Sequence, residues 1–556
     1  MAYDASRFRN YFEHEFTYEA GFRRNVRRYR SRPAFFDPVS GTELDYGQLA
    51  AEVDKTALAL AERGVGPGDR VVYQLFNGLE FVLLYLATQR LGAVSVPINF
   101  RLAPGEIAHI LRDSEPVVFV FDREVSANVG RALAQAGLAP RLLSVGGPQA
   151  GADDGEELAG AEDFARAREA ASGELPERDS ATTTVYDETT RLYTSGTTGM
   201  PKGVSLPSLV EVMSAHDVIM HFPLTPYDRT LNMTPWFHRG GLYSGGPNPV
   251  FYVGGSVVPM RAFNPGTALD WVAEHGITFL IGAPTTLEML ADEQERSPRD
   301  LGPLRGIVTM GAPLDKAAAL RYQRTLTPRI FNGYGTTETF WNTFLRPEDL
   351  PEHAGTAGRA STDDDVAVVK IFADRRGRPD EHVAHDNTEQ GEVIMRSAKS
   401  GFSYANLPGI NEEKFHDGWF YTGDLAVWDE SEFVTILGRK DDMIISGGEN
   451  VHPVQVEEVL AAHPGVKDAV VVGLPDDRWG QRVVAYVVRR DEELTAAQLE
   501  EWCVGDDGLA NYKRPRAYRF IDELPMTATG KKIHYVLAQQ AEKDHARGLF
   551  EEPVRG

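Results

Sequence analysis

A two-domain α/β protein is predicted, with a large N-terminal domain of packed α/β sheets and a small C-terminal α+β domain, on three observations. From about Leu44 to Val125 helix-like and strand-like segments alternate, which implies parallel strands joined by crossover helices. A chain of 556 residues with 42% hydrophobic content can bury more core than one compact domain organises, so two or more domains are expected. After Leu437-Gly438-Arg439-Lys440 the character changes to a shorter unit of two helices and two strands.

Taken in order, residues 46–64 show helical periodicity, 69–76 read as a strand, and 81–94 read as a second helix leading into Val96-Pro97-Ile98-Asn99. Residues 146–184 are rich in Gly, Ala, Asp and Glu with little apolar periodicity and are expected to be a surface connection. Alternation resumes through 257–263, 275–284 and 304–313, each an apolar run that ends in a turn signal. Function in such sheets gathers at those turns. The final unit predicts a helix over 451–464, strands over 466–475 and 482–490, and a helix over 494–505. A boundary near Gly438–Asp441 divides the chain into 1–438 and 439–556. No repeat of solenoid period is present.

Composition narrows the partners. Lys plus Arg is 57 and Asp plus Glu is 81, a net charge of −24, which repels nucleic acid and anionic lipid. The single cysteine, Cys503, excludes an internal disulfide framework and a cysteine metal cluster. A reducing, cytoplasmic setting is expected. The N-terminal residues lack the basic and apolar regions of an export signal, and apolar stretches such as Phe81–Leu86 are too short to span a bilayer.

The densest chemistry lies in Tyr193-Thr194-Ser195-Gly196-Thr197-Thr198-Gly199-Met200-Pro201-Lys202-Gly203. Glycines let backbone N–H groups turn toward an anion, hydroxyls add donors and Lys202 adds charge. The spacing is not that of a Walker A loop, which has four residues between its glycines and Ser or Thr straight after the lysine. Taken alone, the stretch would read equally well as a surface turn. It resembles the phosphate loop of the adenylate-forming superfamily, which includes acyl-CoA synthetases, carrier-protein adenylation domains and beetle luciferases.

Further segments match that family in order. Gly311-Ala312-Pro313 and Asn332-Gly333-Tyr334-Gly335-Thr336-Thr337-Glu338-Thr339 resemble its adenine-binding turn and the following loop. The resemblance implies that Tyr334 packs on adenine, Thr337 contacts the α-phosphate and Glu338 helps to hold Mg²⁺, a hard cation suited to carboxylate and phosphate oxygens. Gly418–Asp424 resembles the segment whose aspartate accepts both ribose hydroxyls, a geometry that suits a carboxylate. Gly438–Pro453 resembles the segment joining the two domains, with Arg439 a second ribose contact, Asp441 the hinge, and Gly447 and Gly448 on the pantetheine path. Pro525–Lys531 resembles the catalytic-lysine motif, in which Lys531 stabilises charge gathered when a carboxylate attacks an α-phosphate. Met526 and His534 stand where the family often has lysine and arginine, and a register slip would select Lys532. Residues 67–81 and 90–107 resemble the first conserved blocks, so most of the chain is covered.

The acceptor is a separate question, because an acyl adenylate reacts with any suitable nucleophile. Residues 477–481 and 511–516 resemble the segments that aryl-CoA ligases of the 4-chlorobenzoate type present to coenzyme A. Trp479 would flank the pantetheine tunnel and Arg514 and Arg516 would face the nucleotide phosphates. The resemblance thus implies an ATP-dependent acid–CoA ligase using ATP, Mg²⁺ and coenzyme A, whose C-terminal domain presents Lys531 and then rotates about Asp441. An acyl-carrier protein, an amine or another small nucleophile remains an alternative acceptor. A light-emitting oxygenase shares the motifs. A nucleotide-binding protein without catalysis fits poorly with an intact Lys202, Glu338, Asp424, Arg439 and Lys531. Monomer and homodimer are equally open.

Pro235–Gly241 stands where the family forms a wall of the acyl pocket. His238, Arg239, Gly240 and Gly241 are therefore substrate-binding candidates. No aspartate stands there to hold an ammonium, so amino acids are disfavoured. Phe340, Trp341 and Phe344 imply a short cavity for an aromatic or small carboxylic acid, or else they simply pack the core. Arg239 pairs with a polar or anionic substrate group if it faces the pocket, and is idle if it faces solvent.

Overall fold

The computed structural model describes residues 4–146, 158–176, 183–195, 200–311, 314–372, 374–440, 442–446, 449–476, 479–504, 509–526 and 532–553. By packing, the chain divides into two compact units, residues 1–366 with 395–420, and residues 367–394 with 421–556.

The first unit holds two large sheets. In one, the strands Ile330–Thr336, Gly306–Met310, Phe279–Gly282, Arg229–Asn232, Ser256–Val258 and Pro33–Asp37 run parallel in that spatial order. Antiparallel edges, Phe340–Leu345 with Arg359–Ala360 on one side and Thr42–Asp45 on the other, close it. The other sheet is parallel through Val94–Pro97, Arg70–Gln74, Val118–Asp122, Arg141–Val145 and Ala161–Asp163. Its opposite side is the antiparallel hairpin of Glu188–Ser195 with Pro201–Pro207, joined by Ser403–Tyr404.

Sequence explains these elements directly. Val118, Phe119, Val120 and Phe121 are all buried, as a parallel strand covered on both faces requires. The helix Tyr46–Ala61 starts at Asp45, which accepts from Gln48 N in a capping box. The helix Leu79–Leu91 stops at Gly92, whose φ of 68° lies in the left-handed region.

One expectation is corrected. Within 146–184, Ala161–Asp163 is a strand parallel to Arg141–Val145 and Phe164–Ala170 is a helix. Asp163 caps that helix and pairs with Arg123 at 2.9 Å, while Phe164 and Ala167 are buried. Two apolar residues three apart dock this 7-residue helix, a signal too short for periodicity to register against the surrounding polar sequence.

The sheet of Asp364–Val369, Gly391–Ser397 and Trp419–Trp428 also carries Phe415–His416 and Val434–Arg439. The last sheet holds Val466–Asp476, Gly480–Arg489, Ile444–Ser446 and Glu449–Val451, with Ala517–Phe520 parallel to Gly480–Arg489. The helices Pro453–Ala461 and Ala496–Val504 pack one face through Val456, Leu460 and Leu499, and His534–Ala546 packs through Leu537 and Ala541.

Candidate active site

In the first unit, strand pairing places Thr194 opposite Lys202 and Ser195 opposite Pro201, at the two described ends of the phosphate-loop candidate. Gly196, Thr197 and Thr198 lie outside the described residues. Next to Thr194, the Tyr193 hydroxyl donates to Asp113 Oδ2 at 2.5 Å. Burial, then the Asp113 carboxylate, pushes the Tyr193 pKa up, so the phenol keeps its proton. Tyr404 enters through strand pairing, opposite Val204, and the Lys202 ammonium sits 5.9 Å from the centre of its ring.

The second wall comes from the other sheet. The strand Gly306–Met310 ends at Gly311, where φ is 89°, a conformation that favours glycine. Ala312 and Pro313 lie outside the described residues. Beside it, Ile330–Thr336 turns through Thr337, Glu338 and Thr339 into Phe340–Leu345, with Thr336 opposite Phe340. The Thr-Glu pair therefore lies in a tight hairpin turn, closed by Thr339 N donating to Thr336 Oγ1 at 3.3 Å. A Cβ on Gly335 would lie 1.6 Å from Phe340 O, so only glycine permits this turn. Gly333 likewise leaves room for the Trp341 ring, which a Cβ would meet at 2.7 Å. Tyr334 and Thr337 are half-buried. Asn332 is buried, and its Oδ1 has no hydrogen-bond partner among the described residues.

Glu338 is buried and gripped by the segment 401–404. Gly401 N donates to Glu338 O at 2.6 Å, and the Tyr404 hydroxyl donates to Glu338 Oε1 at 2.6 Å. Lys202, Glu338 and Tyr404 thus meet across 202 residues of sequence, since 404 − 202 = 202. Sequence reasoning missed Tyr404, because the stretch around it carries no spacing that points to Glu338.

The acyl-wall candidates surround a short helix, Arg239–Tyr243, with His238 at its N-cap. Asn232 Nδ2 donates to the carbonyls of Gly240, Gly241 and Ser244 at 3.2, 3.0 and 2.9 Å, which draws this helix onto the sheet. A Cβ on Gly241 would lie 1.9 Å from Pro235 O, and one on Gly240 would lie 2.9 Å from Met310 Sδ. The His238 ring lies tilted against Phe237, ring centres 4.3 Å apart. Arg239 does not face solvent; it is only 4% exposed.

Phe340, Trp341 and Phe344 are all buried, and Trp341 packs against Phe340, Phe344 and Phe222. The Trp341 indole N–H donates to Asp217. Lys399 Nζ donates to Trp341 O at 2.9 Å and to Asp364 Oδ2 at 2.6 Å and pairs with Asp217 at 3.0 Å. Burial raises the Asp364 pKa and Lys399 opposes that rise. Trp341 and Phe344 are therefore held as core, whereas the Phe340 ring lies beside Tyr243 and Arg239. Lys399 is a second residue that sequence reasoning passed over.

In the second unit, Asp424 stands opposite Arg439 across two antiparallel strands. Arg439 Nη1 donates to Asp424 Oδ1 at 2.8 Å, and Asp424 N donates to Thr422 Oγ1 at 2.9 Å. Asp441, Gly447, Gly448 and Lys531 lie outside the described residues. Lys532 is engaged with Asp468 Oδ1 at 2.7 Å, Glu457 Oε2 at 3.4 Å and Ala469 O at 2.7 Å. Trp479 is exposed. Arg514 pairs with Glu500 at 3.4 Å, and Arg516 donates to Asn511 Oδ1 and O at 3.1 and 2.6 Å.

Among the described residues no cluster of three or more His, Cys, Asp or Glu could hold a metal by itself, and no helix is long and apolar enough to cross a membrane. The single buried Glu338 carboxyl group fits Mg²⁺ only where phosphate oxygens and water complete the shell, which is how Mg²⁺ is usually carried.

Comparison with known proteins agrees with this arrangement. Residues 22–404 match the model of the AMP-binding enzyme family, and residues 455–531 match that of the AMP-binding enzyme C-terminal domain. The chain is 34% identical to a 4-chlorobenzoate–CoA ligase of Arthrobacter sp over 90% of each chain. It is 31% identical to a long-chain-fatty-acid–CoA ligase of Mycobacterium tuberculosis, over 91% of this chain and 95% of that one. Among solved structures it is similar to the ATP-bound MatB of Rhodopseudomonas palustris, with a TM-score of 0.81 and 27% identity over 95% of this chain and 99% of that one. Matches that span nearly the whole length, on a chain that carries the phosphate-loop hairpin and its glutamate, make this protein a member of the AMP-binding enzyme family.

Proposed function

We propose that this protein is an ATP-dependent acid–CoA ligase that acts on an aromatic or small carboxylic acid. The observation that carries the reading is the meeting of Lys202, Tyr404 and Glu338 at the phosphate-loop hairpin. In the first half-reaction a carboxylate oxygen bonds to the α-phosphorus as pyrophosphate leaves. Glu338 would help to hold Mg²⁺, which when bound would supply positive charge against the phosphates. Lys202 adds positive charge at the same end, and Tyr404 aims the Glu338 carboxyl group by holding Oε1. The unpartnered Asn332 Oδ1 suits an amine hydrogen such as that of adenine. Asp424, oriented by Arg439, suits the ribose hydroxyls.

Lys531 is assigned to the transition state of that step, and the engagement of Lys532 with Asp468 and Glu457 supports the register that selects Lys531. In the second half-reaction the coenzyme A sulfur, having lost its proton, bonds to the acyl carbon and AMP leaves. A pivot at Asp441, which the family resemblance implies, would serve both halves by keeping water from a hydrolysable intermediate. An aromatic or small acid is favoured by the likeness to the 4-chlorobenzoate–CoA ligase and by the Phe340 ring, which lies beside Tyr243.

The test is incubation with ATP, Mg²⁺ and a panel of benzoates, cinnamates and short and long fatty acids, with and without coenzyme A, followed by mass spectrometry. An acyl-CoA from a ring-bearing or short acid is the expected product. Release of AMP indifferent to coenzyme A would assign the acyl group to a carrier protein or another nucleophile instead.

A further inference from the structure

Arg239 has an incomplete set of partners in a place where that is costly. Its guanidinium is buried, and only Nη2 is bonded, to Ser214 Oγ at 3.1 Å and Lys399 O at 2.9 Å. Nε and Nη1 have no acceptor among the described residues. Buried donors are nearly always satisfied, and a buried cation without an acceptor is more costly still.

The neighbouring acids do not fill the gap. Glu211 accepts from Thr190 and Gln89 on Oε1 and from Tyr85 and Asn248 on Oε2, and Glu338 Oε1 accepts from Tyr404. Both lie within Coulombic reach of Arg239, yet burial outweighs them and pushes its pKa down. The rings of Tyr243 and Phe340 lie 4.5 and 5.4 Å from its Cζ, which stabilises the charge without supplying an acceptor to Nε or Nη1. Phe340 holds its place with a φ of 66°, uncommon for a non-glycine residue. The guanidinium is thus anchored through Nη2, while Nε–H and Nη1–H₂, on opposite sides of its plane's long axis, each remain a single charge-assisted donor for an anionic oxygen.

We propose that Arg239 makes this protein selective for carboxylic acids that bear a second anionic oxygen group, a carboxylate or a sulfonate, which accepts from the unbonded Nε–H or Nη1–H₂. The proposal rests on the acid-activating reading above. It assigns Arg239 to substrate specificity, with Ser214 and Lys399 as positioning residues. It also accounts for the burial of a charge that replacement by leucine would have avoided.

Matched pairs of acids test it: isophthalate against 3-methylbenzoate, 3-sulfobenzoate against the same twin, and succinate against butyrate. Initial rates are read as pyrophosphate release without coenzyme A. The wild type is expected to favour at least one dianion over its twin by about tenfold or more in kcat/KM, as a site built around a polar partner does. Arg239→Leu is expected to lower that dianion-to-twin ratio at least about tenfold, mainly through KM for the dianion. A wild-type preference for every apolar twin, or an unchanged ratio in the variant, overturns the proposal. The pair that responds tells sulfonate from carboxylate.

Binding is read separately on the wild type, from the rise in Tm that each acid causes without ATP. Equal shifts within every pair also overturn the proposal, whether or not the variant folds. Pyrophosphate release with no coenzyme A consumption refutes only the acceptor, and leaves the selectivity of Arg239 readable.

Discussion

The hydroxyl of Tyr404 donates to Glu338 Oε1 at 2.6 Å, while the face of the same ring lies 5.9 Å from the Lys202 ammonium. One side chain thereby links the glutamate of one sheet to the phosphate-loop lysine of the other. Its reach depends on Ser403–Tyr404 joining the edge of Pro201–Pro207 and on Gly401 N holding Glu338 O.

Replacing Tyr404 by Phe keeps the ring near Lys202 and removes the donor to Glu338. A partner that orients a metal-binding carboxylate is worth about 10- to 100-fold in metal affinity or activity. Tyr404→Phe is expected to raise the Mg²⁺ concentration needed for half-maximal adenylation by roughly that factor, measured as pyrophosphate release against Mg²⁺. An unaltered Mg²⁺ dependence would remove Tyr404 from the site.

Gly335→Ala tests the turn beneath Glu338. Its Cβ would fall 1.6 Å from Phe340 O, which is backbone and cannot rotate away. The expected cost is about 3 kcal/mol, at the upper end for overpacking, read from urea unfolding. A change below about 0.5 kcal/mol, the range of a bland surface substitution, would show that the hairpin adapts.

The adjacent lysines should separate chemistry from stability. Lys531→Ala is expected to slow adenylation by about 100-fold or more, as loss of a transition-state charge does, while thioester formation from supplied acyl adenylate continues. Lys532→Ala should cost about 2 kcal/mol of stability, because Asp468 and Glu457 lose a charged donor. Equal loss of both half-reactions in Lys531→Ala would argue against one lysine serving adenylation alone.

His534 Nε2 lies 2.6 Å from Glu457 Oε1. Burial opposes the charge on His534, but the hydrogen bond and charge of Glu457 outweigh it and its pKa is raised. A histidine with a raised folded pKa stabilises fully below the unfolded value of about 6.5, and that contribution fades as pH climbs through the folded value. Burial likewise opposes the charge on Glu457, yet His534 and Lys532 hold its pKa down, so its contribution fades only at acid pH. Stability is thus expected to fall as pH rises above the unfolded histidine value of about 6.5, and His534→Gln should flatten that slope in urea unfolding followed across neutral to alkaline pH. A slope unchanged in the variant would assign the pH dependence elsewhere.

Sequence by itself determined the elements whose signal is local. Periodicity marked the helix Tyr46–Ala61 and the apolar run over 69–76 marked the strand Arg70–Gln74, because such signals act over a few residues, whereas the helix read over 81–94 stops at Leu91, where Gly92 takes the left-handed conformation. It also determined the order of the motifs and thus the family, since compressed Gly, Thr and Lys at Tyr193–Gly203 and the Thr337-Glu338 pair are contiguous in the chain. The helix at Phe164–Ala170 escaped because two buried residues in polar surroundings give too weak a period.

Only the tertiary structure decided which residues meet. Tyr404 reaches Glu338 through strand pairing across 200 residues of separation from Val204, since 404 − 204 = 200. The same holds for Lys399, which fixes Trp341 from a different segment of the chain. Whether Arg239 faces solvent was undecidable from Phe237-His238-Arg239-Gly240. Its burial is set by Ser214, Tyr243, Phe340 and Lys399, four side chains or carbonyls brought together by packing. Burial and partnership are properties of that long-range packing, and they convert an ordinary arginine into a charged group with two nitrogens that have no acceptor among the described residues.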